Sequence, residues 1–224
     1  MAVLELKNVQ KKYGTGAAEV VALDQINFKA NEGEVVLIMG PSGAGKSTFL
    51  TVAGSLQKPS SGQVKVDGKN IAEISPAESN NLRLQEIGFV LQSYNLVPFL
   101  TVEEQFELVR RVKKTGNLND AALKKLLAQL GITNLVDKYP SALSGGQQQR
   151  AAIARALYAN PEILLADEPT ASLDSKNVDE VGQLFKDLAK DYNKVVILVT
   201  HDPRLEQYAD HIYEMMDGKM TKKR

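Results

Sequence analysis

Val35-Val36-Leu37-Ile38-Met39-Gly40-Pro41-Ser42-Gly43-Ala44-Gly45-Lys46-Ser47-Thr48 is the stretch that decides the fold. Five apolar residues run without a polar interruption and stop at a glycine. That is the pattern of a strand covered on both faces. From Gly40 to Ser47 the residues then fit G-x-x-x-x-G-K-[ST], and each fixed type has a reason. Glycines let the backbone wrap closely around phosphates and aim its N–H groups inward. Lys46 brings a positive charge to the β- and γ-phosphates, and the Ser47 hydroxyl is a ligand for Mg²⁺. Thr48-Phe49-Leu50-Thr51-Val52-Ala53 reads as a helix whose positive end points at the anion.

Outward from this segment, two more apolar runs have the same character. Ile163-Leu164-Leu165-Ala166 ends at Asp167-Glu168, and Val195-Val196-Ile197-Leu198-Val199 ends at Thr200-His201. Continuous rather than alternating runs predict a parallel sheet with helices on both sides. Leu123, Leu126, Leu127 and Leu130 form a helical stripe, with Asn119 as N-cap and Gly131 as stop. Val178, Val181, Leu184, Phe185 and Leu188 form another. Leu4, Leu6 and Val9, then Val20 to Leu23 and Ile26, read as short strand pieces; with Gly62 to Gly68 they predict a small antiparallel β-layer. The stretch from about Tyr94 to Leu143 reads as a helical insertion. A chain of 224 residues suits one such α/β domain.

Composition narrows the function. The 27 basic and 27 acidic residues cancel, which argues against a duplex-DNA binder, and no nucleic-acid partner is expected. The tail Lys222-Lys223-Arg224 reads as merely solvated. There is no cysteine, so disulfides and thiolate metal sites are excluded. Met1 to Lys7 lacks the apolar core of a signal peptide. The apolar runs stop at five residues where a membrane span needs about 20, so direct membrane insertion is not expected.

Asp167 and Glu168 close an apolar strand. Beside a phosphate cradle, Asp167 is expected to hold the Mg²⁺ shell, directly or through water, and Glu168 to polarise the attacking water. His201 ends the next strand, on the side where ligands bind in such sheets, and is expected to contact the γ-phosphate and orient Glu168 or the water. His211 reads as a surface residue. Leu143-Ser144-Gly145-Gly146-Gln147 precedes a good helix from Gln147 to Leu157, so Ser144, Gly145 and Gly146 form a second anion-binding helix terminus. One nucleotide does not need two such ends from one subunit. A second end makes sense if it serves a nucleotide held by another copy.

That combination resembles the ATP-binding-cassette (ABC) ATPases over essentially the whole chain, with the motifs in family order. Tyr13 is similar to the aromatic residue that stacks on adenine, and Gly40 to Thr48 to the Walker A segment. Gln92 resembles the glutamine that touches Mg²⁺ and senses the transport domain. Leu143 to Gln147 is similar to the signature LSGGQ, Ile163 to Glu168 to Walker B, Ser172-Leu173-Asp174 to the D-loop and His201 to the switch histidine. The resemblance implies a P-loop NTPase fold with a RecA-like parallel core, an antiparallel β-subdomain and an inserted helical subdomain. It divides a single cassette, 1–224, into core and β-subdomain (about 1–93 and 148–224) and helical subdomain (about 94–147). It implies ATP hydrolysis with Mg²⁺, a head-to-tail pair of copies over two Mg-ATP, and an integral-membrane permease that holds the chain on the cytoplasmic face of the membrane. Asn95-Leu96-Val97-Pro98, Asp167 to Asp174 and Thr200-His201-Asp202 look like the macrolide-exporter and lipoprotein-release group. Asn95 to Gln105 and Pro203 to Asp210 resemble its haem-efflux cassettes more closely, so an exporter is expected. Phe99 and Leu100 are expected to line a groove for the permease, or else to be core. A soluble cassette acting on ribosomes or DNA fits less well, since there is one cassette and no room for a coiled-coil insertion. An ATPase that regulates cell-wall enzymes through a permease-like partner would carry the same machinery.

Overall fold

In the computed structural model of the chain, which describes residues 2–224, the run that opens the phosphate loop is a strand with Val35, Val36, Leu37 and Ile38 wholly buried. The strands in chain order are β1 (Ala2–Tyr13), β2 (Val20–Asn31), β3 (Val35–Met39), β4 (Ser61–Val66), β5 (Lys69–Asn70), β6 (Ile87–Val90), β7 (Ile163–Asp167), β8 (Val195–Val199), β9 (His211–Met216) and β10 (Lys219–Lys222). The helices are α1 (Lys46–Ala53), α2 (Pro76–Glu86), α3 (Val102–Val112), α4 (Asp120–Gln129), α5 (Gly145–Tyr158) and α6 (Ser175–Tyr192).

Six strands make the main sheet in the order β10-β9-β3-β8-β7-β6, parallel from β9 to β6, with β10 antiparallel at one edge. Successive side chains of a strand point to opposite faces, so each apolar run feeds two cores. Val35, Leu37, Leu164, Ala166, Val196 and Leu198 pack on the side of α3, α4, α5 and α6. Val36, Ile38, Ile163, Leu165, Val195 and Ile197 pack on the side of α1 and the second sheet. That sheet has the order β2-β1-β4-β5 and is antiparallel throughout.

The pieces read at the N-terminal end are two continuous twelve-residue strands, β1 and β2. Register shifts interrupt their pairing, and Asn8 and Gln25 take positive φ of 48° and 50°. An extra residue at a bulge breaks the period of two, so a long strand looks like fragments in sequence. β6, β9, β10 and α2 were not singled out by any pattern above. α2 has a full capping box, with Ser75 and Glu78 bonding each other's backbone N–H and Pro76 in the first turn. The α4 stripe falls where its spacing put it, with the Asn119 side chain accepting from the Ala122 N–H at 2.9 Å and Gly131 at φ 62°.

Two surface expectations need correction. His211 lies on β9, next to the central strand, half-buried with Nε2 3.5 Å from a Glu34 carboxylate oxygen. The polar residues around it hide a strand that is only partly covered. The basic tail is exposed but anchored: the Arg224 guanidinium donates to the carbonyls of Glu206 and Ala209, and Lys223 pairs with Glu214 at 2.7 Å.

Candidate active site

The parallel order sets β3, β8 and β7 side by side, so their carboxyl ends meet on one edge. Ile38 and Asp167 both pair with Val199 in register. Gly40, Thr200-His201 and Asp167-Glu168 therefore leave three adjacent strands at one level. This is the position at which open α/β sheets bind ligands.

The loop after β3 is pressed tightly by its surroundings. A Cβ on Gly40 would lie 2.1 Å from the Met215 carbonyl oxygen, and one on Gly45 2.4 Å from that of Ala22. Gly45 also has φ 101° as it enters α1. Only glycine fits at either position. The Lys46 ammonium is buried and donates to the carbonyls of Gly40 (2.7 Å) and Pro41 (2.9 Å) in its own loop. Lys46 lines a cleft of about 840 Å³ with Ser42, Gly43, Gly45, Ser47 and Thr48. Gln92, Asp167, Glu168 and His201 line the same cleft, a size that suits a nucleotide. Pro41 is exposed and Ala44 buried in the loop's support. A further cavity of about 150 Å³, between α4 and α6, is lined by leucines together with charged residues such as Lys125, Asp187 and Asp191, and gathers none of these groups.

The two acids stand in different surroundings. Burial pushes the Asp167 carboxyl above the ordinary carboxylate range, and the neighbouring Glu168 charge pushes the same way; the Ser47 hydroxyl and the Lys46 charge pull it back. Glu168 is clamped. Its carboxylate accepts from the Thr200 hydroxyl at 2.8 Å and meets His201 Nδ1 at 2.8 Å. Its backbone has φ 50°, uncommon for a non-glycine residue and worth about 1–3 kcal/mol of strain. The Val199 carbonyl and the Gln149 side-chain amide hold that backbone, at 2.8 and 3.0 Å. Such strain at a cleft marks residues positioned for chemistry.

Ser47, Gln92 and Asp167 offer hydroxyl, amide and carboxylate oxygens to one cleft. Hard oxygen donors of this kind suit Mg²⁺, and a carboxylate raised by burial is relieved by a cation beside it. The residues present fit the ion.

Not all the expected residues converge. Tyr13 is not in the wall of the cleft, although it pairs across β1 and β2 with Val20, which is. Its hydroxyl donates to Gln57 at 2.6 Å and the Lys11 ammonium sits 5.2 Å from its ring centre. Ser144, Gly145, Gly146 and Gln147 also lie outside the cleft, at the N-terminus of α5. There Ser144 accepts from the Gln147 N–H and Gln147 accepts from the Ser144 N–H, a capping box. The N–H groups of Gly145 and Gly146 have no acceptor within the helix. Asp174 caps α6 instead of facing the cleft, accepting from the Asn177 backbone and side chain at 2.9 and 2.8 Å. Those bonds hold its carboxyl below the usual range.

Several residues of the site escaped the sequence reading. Thr200 is fully buried behind Glu168, and Gln149 is 1% exposed. Gln149 stands in a run of three glutamines, but its spacing with Ile153 and Leu157 is that of an inward helix face, a signal that was available. Val20, Val21, Ala22, Ala171, Asp217 and Gly218 complete the wall through folding alone.

Residues 23–171 match the family model described as ABC transporter. The chain is 44% identical over 219 residues to a Staphylococcus haemolyticus protein named hemin import ATP-binding protein HrtA, spanning 97% of this chain and 98% of that one. It is 42% identical to the ABC transporter ATP-binding protein MJ0796 of Methanocaldococcus jannaschii, over 98% of this chain and 96% of that one. Its structure is similar to a dimeric structure of MJ0796, a bacterial ABC transporter cassette, with a TM-score of 0.90 at 40% identity and 99% of both chains covered. A dimeric post-hydrolysis structure of the same cassette with ADP and phosphate superposes with a TM-score of 0.88 at 41% identity, again over 99% of both.

Proposed function

The chain belongs to the ABC transporter family as one of its ATP-hydrolysing cassettes, and from that premise we propose that two copies close head to tail over two Mg-ATP and drive an integral-membrane permease. The observation that carries this is the separation of the two anion-binding termini. Lys46 and the loop before it line the cleft, whereas the Gly145 and Gly146 N–H groups stand outside it. A second copy brings that terminus to the γ-phosphate of the first. The dimeric arrangement of the MJ0796 cassette supports this reading.

Within each cleft, the loop N–H groups and Lys46 bind the phosphates, and Tyr13, beside Val20, stacks on the adenine. Ser47, Gln92 and Asp167 would hold Mg²⁺, which would neutralise charge on the phosphates. Glu168 accepts the proton of the attacking water. Thr200 and His201 fix the carboxylate in place, and His201, with its side chain 75% exposed, reaches toward the γ-phosphate. Asp174 lies at the interface between copies. No helix among the described residues is long and apolar enough to cross a membrane. In this reading the permease holds the cassette at the cytoplasmic face. The expected direction, export, rests on the sequence resemblance alone, since the HrtA relatives carry import in their names; accumulation of labelled haem in inverted against right-side-out vesicles reads the direction.

The test is Glu168→Gln. ATP binding is expected to stay near wild type, turnover to fall by roughly 100-fold or more, and ATP to trap a dimer visible by size-exclusion chromatography. Turnover near the wild-type rate would remove Glu168 from its role.

A further inference from the structure

Tyr94 stands two residues beyond Gln92, in a segment that the backbone holds under strain. Tyr94 and Asn95 both take left-handed φ, 57° and 52°. Two such residues in succession, one of them aromatic, persist only where the surroundings impose them. The constraint comes from two directions. Arg155, on α5, donates to the carbonyls of Tyr94 (3.1 Å) and Asn95 (2.5 Å). On the other side the Tyr94 hydroxyl shares a 2.5 Å hydrogen bond with the Ser172 hydroxyl, 78 residues away in the chain.

Ser172 lies directly beneath the free end of α5. A Cβ on Gly145 would lie 3.5 Å from the Tyr94 hydroxyl and 3.7 Å from Ser172 Cβ; one on Gly146 would lie 3.0 Å from the Ser172 carbonyl oxygen. The glycine face of the terminus thus rests on the Tyr94–Ser172 pair. The Ser172 N–H donates to Gln149 Oε1 at 3.3 Å, and Gln149 Nε2 donates to the Glu168 carbonyl at 3.0 Å. One connected set of bonds therefore links Tyr94 to α5, through Ser172 and Gln149, and to the backbone of Glu168, with the Gly145–Gly146 terminus packed against it.

We propose that Tyr94 is a positioning residue whose hydroxyl, through Ser172, sets the attitude of the Gly145–Gly146 terminus for the nucleotide held by a second copy. The inference rests on the head-to-tail reading above. It distinguishes the hydroxyl from the ring, because the ring alone fills space while the hydroxyl fixes a direction. It also predicts that the defect appears between copies and not within one cleft.

Tyr94→Phe removes the hydroxyl and keeps the ring; Ser172→Ala removes its partner. Both are placed in the Glu168→Gln background, alone and together. Binding of a fluorescent ATP analogue to the monomer is expected to stay within about twofold of the parent. The dissociation constant of the ATP-bound dimer, read by analytical ultracentrifugation, is expected to rise by roughly tenfold, since each of the two termini, no longer fixed in advance, must be ordered as the dimer closes. The double variant is expected to be no worse than either single one, as for two groups that act through one contact. Unchanged dimerisation in Tyr94→Phe, additive effects, or an equal loss of monomer binding would each overturn the inference while leaving the head-to-tail reading intact. If Glu168→Gln itself stays monomeric with ATP, the head-to-tail reading fails and takes the inference with it.

Discussion

Asp167 and Glu168 are neighbours in the chain with different burdens. Glu168 is satisfied by Thr200 and His201. Asp167 is raised chiefly by burial, which has a consequence for stability. A folded-state pKa above the unfolded value means that the folded protein binds the proton more tightly, so stability from this group falls as pH rises through the carboxylate range. At neutral pH the ionised group is a net cost. Asp167→Asn is therefore expected to raise the urea midpoint at pH 7 while abolishing turnover. The stability gap should close as pH drops below the usual Asp range near 4. A variant less stable than wild type at pH 7 would contradict this. Both acids were legible in the sequence, because they end an apolar strand beside a phosphate loop. Of the clamp on Glu168, His201 was legible and Thr200 was not, because a threonine at a strand end carries no local signature.

At the scale of elements, the N-terminus of α5 is capped by its own side chains. Ser144 and Gln147 satisfy each other's N–H groups, and the glycine N–H groups keep no acceptor within the helix. Ser144→Arg is expected to lose the cap, about 1 kcal/mol of stability, and all measurable turnover. Nucleotide binding by the monomer is expected to survive, since Ser144 does not line the cleft. Loss of monomer binding in proportion to turnover, read by equilibrium fluorescence titration, would place the terminus in its own chain's site instead. α4, α5, α6 and the three central strands follow from periodicity and capping alone. β1 and β2 were legible only in fragments because bulges reset their phase. β6 and β9 were not legible, since β6 is only four residues, Ile87-Gly88-Phe89-Val90, β9 mixes polar with apolar residues, and the strands they pair with in parallel lie far along the chain.

At the scale of the whole molecule, one largely parallel sheet divides two cores and delivers the ends of its parallel strands to a single edge. Phe99 belongs to neither core. It is 75% exposed, so the core reading for it fails, while Leu100 is half-buried. Phe99→Glu is expected to change stability by no more than about 0.5 kcal/mol and to leave unstimulated turnover intact. If this segment meets the permease, recovery of the chain in the membrane fraction of its native cells falls sharply; unchanged recovery would move the contact elsewhere. The sequence by itself determined the nucleotide loop, the two acids, the second helix terminus and the layered α/β class. Phosphate chemistry and helix and strand periods act over a few residues and leave their mark locally. Only the tertiary structure decided that Thr200 joins His201 in gripping Glu168 and that Tyr94 meets Ser172. Those contacts depend on the strand order β3-β8-β7 and on chain crossings of tens of residues, which no local pattern encodes.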